Sequence, residues 1–291
     1  MNKKQNIKKH FNQHQKLTLK NSKYLRQVKR LTEDFLTEDL DDRGDVTTDL
    51  LIKKNPQVIA VICAKENGIL AGIEEVRWFV TSYELRVTSF KKDGSKIKIG
   101  DKLLKISGGI KDILKIERTV LNLLQRMSGI ATQTNKLVKK VGKNVLVVPT
   151  RKTQWGLLDK KAVTLGGGGT HRLGLYDWIL IKDNHLKFPN IQYPISNISS
   201  FWEIEAKTEK QIDQFIKLKP NALMFDNFKP KDIKRILNKY DTKTKQNVIF
   251  ETSGGITEKN IAEYAKTGVD VISLGSLTHS SKALDISLDI I

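Results

Sequence analysis

The chain has 291 residues, 39% hydrophobic and 29% charged, the balance of a soluble globular protein with room for one or two domains and a sizeable core. No apolar run approaches the roughly 18–20 residues that span a bilayer, so no membrane is expected, and the basic N-terminus lacks the apolar stretch of a secretory signal. Its one cysteine, Cys63, excludes an intramolecular disulfide and a cysteine metal cluster, leaving a cytoplasmic setting as the default, while the net charge of +19 raises the question of nucleic-acid binding.

Residues 1–30 hold ten Lys or Arg and no acid, about half of that excess. Residues 1–22, rich in Lys, Gln and Asn and without clear periodicity, are expected to be a disordered basic tail. Tyr24 to Leu36 predicts a helix through Leu25, Val28, Leu31 and Phe35. Val58 to Ala64 predicts a strand, Ile73 to Tyr83 a helix, and Leu85 to Phe90 and Lys102 to Ile106 two further strands, with Gly94 and Gly100 in the turns. Residues 23–128 therefore form a small α/β layer structure. Glu117 to Val141 is mainly helical, with a break expected near Ser128-Gly129.

From residue 129 to 280 the pattern changes. Short apolar runs recur at Val145–Val148, Trp178–Ile181, Phe201–Ile204, Ala222–Phe225, Val248–Phe250 and Val269–Leu274, and Ala162–Leu165 is a candidate seventh. Helices alternate with the later runs: Thr208 and Gln211 have capping-box spacing, Pro230 suits a first helical turn, and Thr257 can cap a helix that Gly268 ends. Strands alternating with helices imply a parallel sheet, and six or seven units in this length favour closure into an α/β barrel over an open doubly wound sheet.

In such a barrel the ligand sits at the C-terminal ends of the strands. Arg151-Lys152 follows the first run, Lys182 the second, Glu205 the third, Asp226-Asn227 the fourth, Glu251 with Ser253-Gly254-Gly255 the fifth, and Gly275-Ser276 the sixth. One polar loop means little, but six in succession point to a shared site. Glycines let backbone N–H groups approach an anion, and barrel enzymes often bind phosphate in the loops after their last two strands. Gly166 to Gly169 leads into Thr170-His171-Arg172, a second glycine-rich element that matches neither a dinucleotide fingerprint nor a Walker loop. The histidines, His171, His185 and His279, lack the spacing of a zinc site. Arg118, Arg151, Lys152, Arg172 and Lys182 suit a substrate with several carboxylates or phosphates. Glu205 and Asp226 could hold Mg2+ or ribose hydroxyls, or stabilise a transient cation. The residues alone thus lead to a barrel enzyme acting on a phosphorylated polyanion.

At these residues the chain resembles the carboxylating nicotinate-nucleotide pyrophosphorylases, or quinolinate phosphoribosyltransferases. The motifs are EDLDDRGDVTT (38–48), ERTVLNLLQRMSGIAT (117–132), TRKT (150–153), GGGGTHRLGLYDWILIKDNH (166–185), WEIEA (202–206), MFDN (224–227), SGGIT (253–257) and SLGSLTHSSKALDISL (273–288). The resemblance implies an N-terminal open α/β sandwich joined to the barrel, with residues 281–291 returning to the sandwich. It also implies a homodimer in which Arg118 is given to the neighbouring subunit's site. The reaction it implies joins quinolinate to phosphoribosyl pyrophosphate, giving nicotinate mononucleotide, CO2 and pyrophosphate. Arg151, Lys152, His171, Arg172 and Lys182 match the basic residues around the quinolinate carboxylates and the phosphoribosyl donor. Glu205 and Asp226 match the carboxylates near the ribose and Mg2+, and Ser253, Gly254, Gly275 and His279 the 5′-phosphate and neighbouring loops. Lys152, Lys182, Glu205 and Asp226 are the expected catalytic groups.

The chain departs from the family pattern in three places. Gln154-Trp155 stands where Thr-Pro is common, the segment after Gly156 is about two residues shorter, and Thr170 replaces a frequent asparagine. A related group associated with molybdenum transport shares much of the pattern, but the retained basic cluster argues for quinolinate. Nucleic-acid binding would need basic residues interleaved with aromatics along one face, and none stands outside the tail. Removal of residues 1–21 is expected to leave turnover nearly unchanged.

Overall fold

In the computed structural model, which describes residues 2–187 and 200–291, the chain divides into two units, each discontinuous in sequence. One comprises residues 15–135, 154–167 and 280–291, the other residues 1–14, 136–153 and 168–279.

The first unit is built on an antiparallel sheet ordered β12-β1-β5-β3, from β1 (Gln57–Ala64), β3 (Arg86–Ser89), β5 (Lys102–Gly109) and β12 (Ile286–Ile290), with a small ladder of β2 (Gly68–Ile69) and β4 (Lys96–Ile97). β12 runs antiparallel to β1, from Ala60 opposite Ile290 to Ala64 opposite Ile286, so the last residues close this sheet. Its helices are α2 (Ser22–Leu40), α3 (Val46–Leu51), α4 (Ile73–Ser82), α5 (Ile110–Val141) and α6 (Leu157–Leu165). In α2 the buried stripe is Tyr24, Val28, Thr32 and Leu36, one helical turn apart, with the Tyr24 hydroxyl donating to Glu75 at 2.7 Å.

Two expectations change here. α5 is one uninterrupted helix, because Gly129 serves packing: a Cβ there would collide with the Lys282 carbonyl, while the Ser128 hydroxyl accepts from the Ala71 N–H at 3.0 Å. Ala162–Leu165 is the end of α6 and not a seventh strand. Leu158, Ala162 and Val163 bury at helical spacing, and Asp159 in the first turn accepts from the Gln154 and Trp155 N–H groups at 2.9 and 3.1 Å. Arg126 grips the same carboxylate with two 2.9 Å bonds and lies over the Trp155 ring at 4.9 Å, which accounts for the unusual Gln154-Trp155 pair as part of this unit.

The second unit is a parallel six-stranded sheet ordered β6-β11-β10-β9-β8-β7. Its strands are β6 (Leu146–Pro149), β7 (Ile179–Ile181), β8 (Trp202–Ala206), β9 (Ala222–Asp226), β10 (Ile249–Ser253) and β11 (Val271–Leu274). Helices α1 (Lys3–Asn6), α7 (Asp183–Leu186), α8 (Glu209–Phe215), α9 (Pro230–Leu237), α10 (Thr242–Asn247), α11 (Ile261–Ala265) and α12 (Ser276–His279) complete it. Thr208 and Gln211 form the expected capping box on α8, and Pro230 opens α9. The sheet is curled: Val148 from one edge strand and Leu180 from the other meet Ala222, Met224, Ile249 and Val271 in one core cluster. Across the opening between β6 and β7, the Gly169 N–H donates to Val147 O at 2.8 Å and Arg172 Nη1 reaches Trp178 O at 3.5 Å. The α/β fold class is thus the expected one, with six strands in the barrel.

The N-terminal residues differ from the expected disordered tail. Beyond α1, Ile7–Phe11 continue as a helical turn, and Phe11 is fully buried inside the barrel cluster. Lys3 pairs with Asp270 at 2.6 Å. The composition of this stretch conceals the reason, which is that Ile7 and Phe11 stand four residues apart and give it one apolar edge.

Candidate active site

Alternation along the parallel strands decides what enters the barrel. On β8, Glu203 and Glu205 point one way and Trp202, Ile204 and Ala206 the other, and every one of them is buried. The inward residues fall into layers. Phe11, Ala222, Ile249 and Val271 fill the base. Glu203, Glu251 and His171 meet above them, and the strand ends carry the expected site residues.

These ends border a cavity of about 740 Å3, lined by Arg151, Lys152, His171, Arg172, Lys182 and Glu205 and by Asp226, Ser253, Gly254, Gly275 and His279. The structure thus brings together all the site residues expected in the barrel. Arg118 is not among the lining residues; it is exposed on α5 in the other unit. Thr150, Asn227 and Ser276 also line the cavity without having been singled out as binding residues.

The cations differ in how they are held. Lys182 is ion-paired with Glu205. Arg151, Lys152 and Arg172 have no carboxylate partner among the described residues. Arg172 is 5% exposed, and its buried Nε has no hydrogen-bond partner among the described residues. Burial first, and then the neighbouring Arg151 charge, lower its pKa from the ordinary arginine value. A buried guanidinium with a free donor is a site for an anion.

His171 stands at φ +51, a left-handed backbone that is uncommon for a residue with a Cβ. Its Nδ1 accepts from the Arg172 N–H at 2.8 Å, so the ring hydrogen belongs on Nε2, which faces Glu251 at 3.3 Å and Glu203 at 3.8 Å. Potential ligand atoms of these three residues lie within 4.8 Å of one another. An Nε2 that keeps its hydrogen offers no lone pair to a metal, so in this tautomer the three residues do not make a metal site. Burial first, then the Glu251 charge, hold the Glu203 carboxyl well above the usual carboxylate range. Glu203 was not recognised in the sequence, although its alternation with Glu205 in WEIEA was the available signal. Glu251 lies in the middle of β10 and so faces this cluster instead of ending the strand.

The two carboxylates nearer the rim, Glu205 and Asp226, offer the hard oxygen ligands that Mg2+ takes. Glu205 is buried to 5% exposure and Asp226 to 17%, with Lys207 at 4.0 Å from Asp226 and 2.6 Å from Asp183.

The glycine turns are built by backbone constraint. Gly254 and Gly255 have φ +88 and +63, and a Cβ on Gly254 would collide with the Asn227 side chain. Asn227 is itself at φ +61, with its N–H donating to Ser253 O at 2.8 Å. The helix expected to open at Thr257 begins at Ile261, because the Asn260 side chain takes the Thr257 N–H at 2.7 Å. The phosphate reading therefore rests on the glycine turn and not on a helix end. After β11, the Thr278 hydroxyl donates to Lys152 O at 2.9 Å, tying the Gly275-Ser276 turn to the Arg151-Lys152 loop.

A parallel α/β barrel with a cluster of cations, two carboxylates and two glycine turns at its strand ends defines a class, the barrel enzymes that act on phosphorylated anions. The sequence pattern of the quinolinate phosphoribosyl transferase N-terminal domain matches residues 45–128, and that of the C-terminal domain residues 130–289. The chain belongs to the quinolinate phosphoribosyltransferase family. It is 42% identical over 262 residues to the Methanocaldococcus jannaschii protein named as a carboxylating nicotinate-nucleotide pyrophosphorylase, covering 85% of this chain and 92% of that one. The Bacillus subtilis protein of the same name is 38% identical over 280 residues, covering 91% and 93%. Among solved structures, the nicotinate-nucleotide pyrophosphorylase from Francisella tularensis matches with a TM-score of 0.82 at 33% identity, covering 91% of this chain and 96% of that chain. No helix among the described residues is long and apolar enough to cross a membrane.

Proposed function

We propose that this enzyme transfers the phosphoribosyl group of phosphoribosyl pyrophosphate to quinolinate, forming nicotinate mononucleotide, CO2 and pyrophosphate for NAD biosynthesis. The observation that carries the reading is the trio Arg151, Lys152 and Arg172, three cations around one cavity that form no salt bridge among the described residues. A pyridine dicarboxylate brings the missing charges.

The 5′-phosphate rests at Ser253-Gly254 and Gly275, with His279 at the rim. The cations hold quinolinate with its ring nitrogen facing the anomeric carbon, which replaces a bimolecular encounter by positioning. As the bond to pyrophosphate breaks, cationic character grows on the ribose, and Glu205 and Asp226 stabilise it electrostatically. The new C–N bond leaves a pyridinium, which accepts the electron pair released when the adjacent carboxylate departs as CO2; a proton then replaces the carboxylate. Lys182 and Lys152 offset negative charge during these steps. Glu205 and Asp226 would hold Mg2+, which would supply charge neutralisation of the pyrophosphate. The working enzyme is a cytoplasmic homodimer in which Arg118 serves the neighbouring subunit's site.

The test is incubation with quinolinate, phosphoribosyl pyrophosphate and Mg2+. One CO2 should appear per pyrophosphate, and nicotinic acid should be a poor substrate because it leaves part of the cationic cluster, which includes the buried Arg172, unpaired. Comparable turnover of nicotinic acid, or none of quinolinate, would overturn the assignment.

A further inference from the structure

The N-terminal segment touches a stretch of the cavity wall whose backbone is strained, at His171. Phe11 O accepts from the Thr170 N–H at 2.6 Å and from the His171 N–H at 3.1 Å. The Thr170 hydroxyl accepts from the Gln13 N–H at 3.0 Å. The Phe11 ring stands edge-on to the His171 imidazole, with centroids 5.3 Å apart. Past Arg172, Asp177 accepts from the Leu173 N–H at 2.9 Å and from the Gln13 side-chain amide at 2.5 Å. The Trp178 indole donates to His10 O at 3.3 Å, and His10 stacks on Phe201 at 4.1 Å.

A left-handed histidine persists only where its surroundings over-determine it. Here the surroundings are residues 10–13 on one side and Glu203 with Glu251 on the other. His171 and Arg172 carry the buried part of the cationic wall, so whatever fixes their backbone fixes the reach of the guanidinium. Thr170, the departure from the usual asparagine, is the residue that ties this wall to Gln13.

We infer that Phe11 is a positioning residue: the N-terminal segment plugs the base of the barrel and sets His171 and Arg172 for the pyridine dicarboxylate. The role rests on the proposed reaction. It reverses the expectation that residues 1–21 can be removed without effect.

The experiment compares full-length wild type with Phe11→Ala and Phe11→Leu. Phe11→Ala should raise KM for quinolinate by about tenfold or more, the scale at which small misplacements act, while KM for phosphoribosyl pyrophosphate stays within about twofold. Phe11→Leu, which refills most of the space, should recover most of the loss. Amide hydrogen exchange should quicken at residues 169–172 in Phe11→Ala and stay unchanged at 253–255. If Phe11→Ala does not fold, Gln13→Ala keeps the core filled, cuts the tether to Asp177, and should show the same pattern more weakly. Unchanged exchange at 169–172 in a folded variant, or an equal rise in both KM values, overturns the inference. If wild type does not turn over quinolinate, the proposed reaction fails, and the exchange pattern still decides whether the segment holds this wall.

Discussion

Adjacent glycines can have different duties, and Gly254 and Gly255 provide a direct comparison. Both have positive φ, but only at Gly254 would a methyl group strike a neighbour, the Asn227 amide, whereas Gly255 has nothing within 4 Å. Gly254→Ala should therefore raise KM for phosphoribosyl pyrophosphate by about tenfold or more, and Gly255→Ala should show only the milder cost of backbone strain. Steady-state kinetics on the pair decides this; equal effects would mean that the turn does not cradle phosphate. The strand-end rule made Arg151, Lys152, Lys182, Glu205, Asp226 and Ser253 legible in sequence, because charge that follows an apolar run has few structural reasons to be there. Glu203 was hidden by the opposite circumstance. Both faces of β8 are buried, so the strand reads as core throughout, and only the two-residue spacing from Glu205 marks Glu203 as facing the same way.

At the scale of elements, short-range chemistry read well and tertiary demand did not. The Thr208 box and Pro230 are set by neighbours in the chain, so their helices start where the sequence says. Gly129 is set by a distant partner, the Lys282 carbonyl, which is why it looked like a helix break, and Ala162–Leu165 looked like a strand because the run taken alone hides the helical spacing it shares with Leu158. Phe11 is the extreme case, a lone aromatic in a basic tail whose partners lie more than a hundred residues away. Helices α8 and α9 offer a test of an exposed link. Glu209 pairs with Arg235 at 2.6 Å and also with Lys239, bonds that lower its pKa from the ordinary 4.5 to about 2. A depressed carboxylate stabilises the fold above its unfolded pKa and loses that contribution as pH falls through its folded value. Glu209→Gln should thus lower the melting temperature slightly at pH 7 and low salt. The difference from wild type should shrink as pH falls from about 4.5 toward about 2, and also in high salt. A gap that persists at low pH would assign the effect to packing.

For the whole molecule, the proposed dimer makes Arg118 the decisive residue, since it is the one expected site residue outside the barrel unit. Arg118→Ala and Lys182→Ala should each abolish most activity as pure dimers. Refolded together, they should form about half mixed dimers, each with one doubly damaged and one intact site, so about a quarter of wild-type activity should return. A dead mixture, with refolding controls active, would mean that Arg118 does not serve a neighbour. The interleaving of the two units has another consequence, for the order in which the chain can fold as it is made. β1 waits for β12, and Phe11 waits for β11, in each case a partner far later in the chain. Each unit is discontinuous in sequence, so neither can close before residues of the other have been made, and folding strictly one domain at a time is closed to this chain. Phe11 and its basic neighbours wait uncovered until β11 has been translated.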